Sequence, residues 1–112
     1  MKMVIAFIIS ACFLYAGCCQ SKGWSKTEKI EKVAFQTGGF FLYADDWENP
    51  NQCSKDNAVV LLDTDRNYDK AYSLLLTAYA SGKKVTGYSD GCVNFDGQTY
   101  NTIRGFKYLI VE

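Results

Sequence analysis

The chain has 112 residues, twelve basic and twelve acidic side chains, a formal net charge of zero and no histidine. A neutral net charge implies no basic face, which argues against a nucleic-acid partner. Without histidine there is no His-containing triad and the commonest general base is missing, so a catalytic role is not expected.

The N-terminus reads MKMVIAFIISACFLYAGCCQSKGW. Lys2 precedes an apolar run from Met3 to Ala16 of the length of a signal-peptide core. The run is too short to span a bilayer comfortably. Residues 1–17 are therefore expected to direct export, to the periplasm, to an outer-membrane anchor or to the medium. The stretch YAGC resembles a bacterial lipobox, in which a small pair precedes the cysteine that receives lipid. Cys18 would then open the mature chain, and membrane contact would come only through that lipid. Tyr15 departs from the aliphatic residue usual there. The other reading is ordinary cleavage after Cys18 or Cys19 under the small-x-small rule. Residues 18–28 then form a tether and 29–112 a single domain, small enough that a covalent staple is useful.

In the body of that domain KIEKVAFQT alternates charged and apolar residues and predicts a first strand. Gly38-Gly39 signals a turn, and GFFLYA a second strand. DDWENPNQC holds acids, amides and the chain's one proline, so it reads as a loop. NAVVLL is a buried third strand. DTDRNYDKAYSLLLTAYASGK is the one clear helix, with Asp65 or Asn67 as N-cap and Gly82 just past its end. Tyr68, Ala71, Tyr72, Leu75, Ala78 and Tyr79 share one stripe of it, which Leu74 and Leu76 widen. KKVTGYSDGC predicts a fourth strand, Asp96-Gly97 a tight hairpin, and IRGFKYLIVE a last strand to the terminus.

The order predicts a small, mainly-β α+β domain, an OB-fold-like five-stranded barrel with one helix between the third and fourth strands. An open antiparallel sheet with the helix packed on it is the alternative. The stretch QCSKDNAVVLLDTDRNYDKAYSLLLTAYASGKKVTGY, about a third of the chain, resembles the B subunits of pentameric-B bacterial toxins of the subtilase-cytotoxin type. The shared pattern is cysteine, short strand, polar link, Tyr-rich helix, helix stop and valine-bearing strand. The resemblance implies an exported OB-fold, a ring-forming homo-oligomer and recognition of a glycan or a host protein. Two features depart from it. The upstream strand lacks the cysteine that the group pairs with, and the lipobox suits anchoring rather than release.

Cys12 falls in the signal core, and Cys18 and Cys19 at the cleavage point. Cys53 and Cys92 remain and, in an oxidising compartment, are expected to pair. Two cysteines alone complete no zinc shell, and no metal or other cofactor is expected. The candidate ligand site is Tyr43, Asp45, Asp46 and Trp47, where an aromatic face beside hydroxyl-accepting carboxylates suits a sugar ring. A tryptophan in such a loop can equally pack onto the domain. The functional expectation is a non-catalytic exported binding module for a glycan or protein. The alternative is a small envelope lipoprotein with a structural role or an envelope-protein partner.

Overall fold

The computed structural model describes residues 23–112. The expected signal peptide at 1–17 and the lipidation candidate Cys18 lie outside the described residues. The elements are β1 (Glu28–Lys29), β2 (Lys32–Gln36), β3 (Gly39–Tyr43), β4 (Lys55–Leu62), α1 (Tyr68–Ser81), β5 (Lys84–Thr86), β6 (Cys92–Phe95), β7 (Gln98–Thr102) and β8 (Ile110–Val111). The domain is small and mainly β, with one helix among the described residues.

The strands form two sheets instead of one closed barrel. The larger runs in the order β2-β3-β4-β7-β6, with β4 and β7 parallel and the other pairs antiparallel. In chain order the helix falls between the third and fourth strands of this sheet, but its last two strands, β6 and β7, are not the expected ones at 83–92 and 103–112, whose ordered parts β5 and β8 lie in the smaller sheet. The sheet stays open because β2 and β6 end it on opposite sides and do not pair with each other. The smaller sheet, β1-β5-β8, takes up segments that the sequence assigns to longer strands. The expected strand at 29–37 breaks at Ile30-Glu31. Ile30 turns into the core at 2% exposure, and the strand resumes at Lys32. The expected last strand keeps only Ile110–Val111. Upstream of it the chain passes so close to the helix that a Cβ on Gly105 would sit 3.0 Å from Ala71 Cβ and 3.1 Å from Asp65.

The sequence places the helix correctly. Ala71, Leu75 and Ala78 are buried along one stripe, while Tyr68 and Tyr72 pack on the core from its rim. Leu74, Leu76 and Tyr79 are more than a third exposed, so the stripe is narrower than the apolar spacing suggests. The helix ends at Gly82 (φ 70°), a left-handed position that favours glycine. At the other end Asn67 is the N-cap residue but makes no side-chain cap bond. The Asp65 carboxylate instead accepts from the Asn67 N–H at 2.9 Å, one residue before the helix begins.

The core lies between the inner face of the five-stranded sheet, the helix and β5. Phe40 and Leu42 of β3 and Val59 and Leu61 of β4 meet Leu75, Ala78 and Val85 there. Phe40 and Tyr72 pack edge to face at 4.8 Å. The strand β3 has no exposed residue, because its other face is covered as well. That second face carries the candidate site.

Candidate functional site

Strand geometry sends alternate residues to opposite faces. With Phe40 and Leu42 in the core, Phe41 and Tyr43 point outward. Their register partners on β4, Val60 and Ala58, are fully buried beside them, and the smaller Ala34 stands opposite Phe41 on β2. The β6–β7 hairpin adds Phe95 and Tyr100. Its turn is at Asp96-Gly97, both at positive φ (55° and 83°), as the dipeptide predicts. Four rings therefore share the outer face. Phe41 stacks with Tyr43 at 6.4 Å and meets Phe95 at 4.9 Å and Tyr100 at 5.2 Å edge to face. They line a shallow cleft of about 120 Å³, rimmed by Gln36, Asp96 and Gln98.

Tyr43 also borders a second, polar concavity of about 480 Å³, with Glu31, Lys32, Asp45 and Asn57. Lys32 is the register partner of Tyr43, and its Nζ lies 4.4 Å from the ring centre. The chain here is pinned by backbone bonds, Glu31 N–H to the Tyr43 carbonyl at 2.8 Å and Ala44 N–H to the Asn57 carbonyl at 3.0 Å. The two concavities meet at Tyr43, one walled by aromatic rings with a polar rim and one lined by charged side chains. Burial, with Tyr43 and Asp96 close by, pushes the Tyr100 hydroxyl above its ordinary pKa. Like any tyrosine hydroxyl it is neutral around pH 7 and can donate.

No family model, no curated protein and no solved structure matches the chain.

Of the four residues expected to form a ligand site, the structure brings Tyr43 and Asp45 together. Asp46 turns aside, and its carboxylate accepts the Glu48 N–H at 2.8 Å within the loop. Trp47 is not a stacking surface. It is fully buried in the core, and its indole N–H donates to the Leu42 carbonyl at 3.1 Å. Its backbone N–H bonds the Asp56 carbonyl at 2.9 Å, which holds the loop against β4. The packing alternative is the correct one for Trp47, and the reason lies in how the loop is fixed.

Asn49 clasps the backbone of Cys53 from both sides, donating to its carbonyl at 2.7 Å and accepting its N–H at 2.6 Å. Asn101, fully buried on β7, donates to Asn49 at 2.8 Å and accepts the Asn51 N–H at 3.0 Å. Glu48, Asn49 and Gln52 all adopt positive φ inside this frame. The Cys53–Cys92 disulfide, predicted from the cysteine inventory, ties the same loop to the start of β6, with Cα atoms 5.7 Å apart.

A third polar cluster is structural. The Asp65 carboxylate is buried and accepts from Asn67 N–H, from Gly105 N–H at 2.9 Å and from Arg104 Nε at 3.0 Å. Arg104 reaches on to Asp90 at 3.0 Å. Burial alone would raise the Asp65 pKa, but these hydrogen bonds and the guanidinium outweigh it and hold the carboxyl below the ordinary value. A depressed folded pKa stabilises the fold above the unfolded value, near 3.9, and that stabilisation is lost as pH falls through the folded value. Asp65→Asn is expected to cost about 1–3 kcal/mol at pH 7. It should also flatten the loss of stability between about pH 5 and the acid limit. Urea melts of both proteins across that range check it. An unchanged acid limb in the variant contradicts the assignment.

The sequence reading missed Phe41, Phe95 and Tyr100. The available signal was the period of two. Once Phe40 and Leu42 are assigned inward, Phe41 and Tyr43 must face out. Phe95 and Tyr100 flank a two-residue turn and so stand on adjacent strands.

Proposed function

We propose that the protein is an exported, non-catalytic binding module that receives a glycan on the Tyr43 surface. The observation that supports this is the junction at Tyr43 of an aromatic cleft and a charged groove. The C–H face of a sugar ring packs on aromatic faces. Its hydroxyls donate to Glu31 and Asp45 and accept from Lys32 and the Asn57 and Gln98 amides. The disulfide is compatible with an oxidising, exported setting. The order of three strands, helix and two strands in the larger sheet is in keeping with an OB-like architecture. The resemblance to pentameric-B toxin subunits adds a ring-shaped homo-oligomer to the proposal.

A glycan array probed with the mature protein, followed by titration of the best ligand, tests the reading. Tyr43→Ala and Tyr100→Ala should each weaken binding by about tenfold, corresponding to about 1.4 kcal/mol, while circular dichroism shows the fold retained. Wild-type affinity in both folded variants would place recognition elsewhere.

A second reading, an envelope lipoprotein with a protein partner, draws on β2. This strand ends the larger sheet, and its Phe35 is 68% exposed. Edge strands and exposed aromatics suit protein contacts. An empty array together with an envelope partner captured by the wild type and lost in Phe35→Asp would favour it.

A further inference from the structure

A second cluster of exposed aromatics lies apart from the Tyr43 surface. Trp24 is 41% exposed, Phe106 38% and Tyr108 76%. Trp24 meets Tyr88 edge to face at 5.6 Å, across a β-bridge between the two residues. Lys107 Nζ stands 5.1 Å from the Tyr88 ring, and Arg104 and Arg66 stand 4.7 and 5.8 Å from the ring of Phe106. The two sets of contacts adjoin, because the Arg104 N–H bonds the Tyr88 carbonyl at 2.9 Å and Phe106, Lys107 and Tyr108 are consecutive exposed residues.

We propose that this surface lies against a lipid bilayer, with Trp24, Phe106 and Tyr108 at headgroup depth and Lys107 and Arg66 on the phosphates. Three arguments carry it. The residue types are those of a membrane interface, where Trp and Tyr rings sit at headgroup level and cations flank them. Arg104 is neutralised by Asp65 and Asp90, but Arg66 and Lys107 form no salt bridge among the described residues. Both side chains are exposed and can reach an anionic surface, Lys107 more freely than Arg66, which shares a concavity with Asp63 and Asp69. The third argument is reach. Gly23, beside Tyr88, is five residues on from Cys18. Such a segment extends at most about 18 Å. A lipid on Cys18 would hold this face close to the membrane. The proposal goes beyond a passive anchor, because the folded domain itself makes contact and is thereby oriented.

The test uses the chain from Cys18, which contains every described residue, with Cys19→Ser. Cys18 is coupled to a maleimide lipid in vesicles of phosphatidylethanolamine and phosphatidylglycerol whose acyl chains carry bromine. Coupling supplies the proximity whatever the native processing, so a failed lipidation reading does not confound the result. The chain has two tryptophans, and Trp47 is fully buried, so a change in surface quenching reports Trp24. The expected result is a blue-shifted Trp24 emission and bromine quenching about twofold stronger than in a variant carrying Phe106→Ser and Tyr108→Ser. Lys107→Glu should weaken quenching more on anionic vesicles than on purely zwitterionic ones. Equal quenching in wild type and the double variant, with Trp24 as open to aqueous acrylamide as in free solution, overturns the proposal.

Discussion

Trp47→Ala is expected to lower the unfolding free energy by about 3–5 kcal/mol, the range for removing a fully buried large aromatic. The side chain has no exposed surface and lies in the same cluster as Leu42, Leu61 and Leu75. Its loss leaves a cavity and also deprives the Leu42 carbonyl of the indole N–H. Domains of this size are stable by only about 5–15 kcal/mol, so such a loss is a large fraction of the whole. The loop cannot readily collapse into the gap. Its backbone is held at Asp56, and Asn49 and Cys53 are fixed to β7 and β6. Trp47→Phe should fall between wild type and Ala, because it keeps apolar volume but not the donor. Urea melts of the three proteins decide the matter. A cost below about 1 kcal/mol for Ala would mean that the indole is not a core group.

The contrast between Trp47 and the helix explains what was legible in the sequence. The helix at 68–81 is a local object. Its apolar spacing, its acidic first turn and Gly82 all lie within one window, and each can be read without knowing the partners. The Asp96-Gly97 hairpin is legible for the same reason, since a two-residue turn at positive φ specifies its own conformation. The disulfide followed from counting. Trp47 was obscured because its neighbours in the sequence are polar while its own side chain is buried. Its loop is fixed from far along the chain, by Asn101 acting through Asn49 across the parallel pairing of β4 with β7. No local pattern around Trp47 signals that partner.

The two-sheet arrangement was hidden for a related reason. Which strands pair is decided by contacts distant in sequence, and a two-residue strand such as β1 or β8 has no pattern of its own. IRGFKYLIVE reads as one strand by composition, yet the close approach of Gly105 to Ala71 and Asp65 takes the chain out of the sheet until Ile110. The outer aromatic face was half legible. GFFLY is apolar at every position but its glycine, so the run itself does not say that both faces are covered. Only the register with Val60 and Ala58 does so.

Removing the disulfide by Cys53→Ser with Cys92→Ser is expected to cost about 2–5 kcal/mol. The cysteines are 39 positions apart, and the chain-entropy model gives about 4 kcal/mol for closing such a loop. On that model the loss arises in the unfolded ensemble, which becomes free to expand. The native loop should persist, because Asn49 bonds the backbone N–H and carbonyl of residue 53, and serine leaves both in place. Two observables follow. Trp47 emission in the folded variant should match wild type, and the dependence of unfolding free energy on urea should steepen as more surface is exposed on unfolding. Red-shifted Trp47 emission under native conditions would show instead that the bond holds the loop in the folded state. Peptide mapping without reduction gives the prior check, and recovery of Cys53 and Cys92 as alkylatable thiols from freshly isolated protein would remove the basis of the prediction.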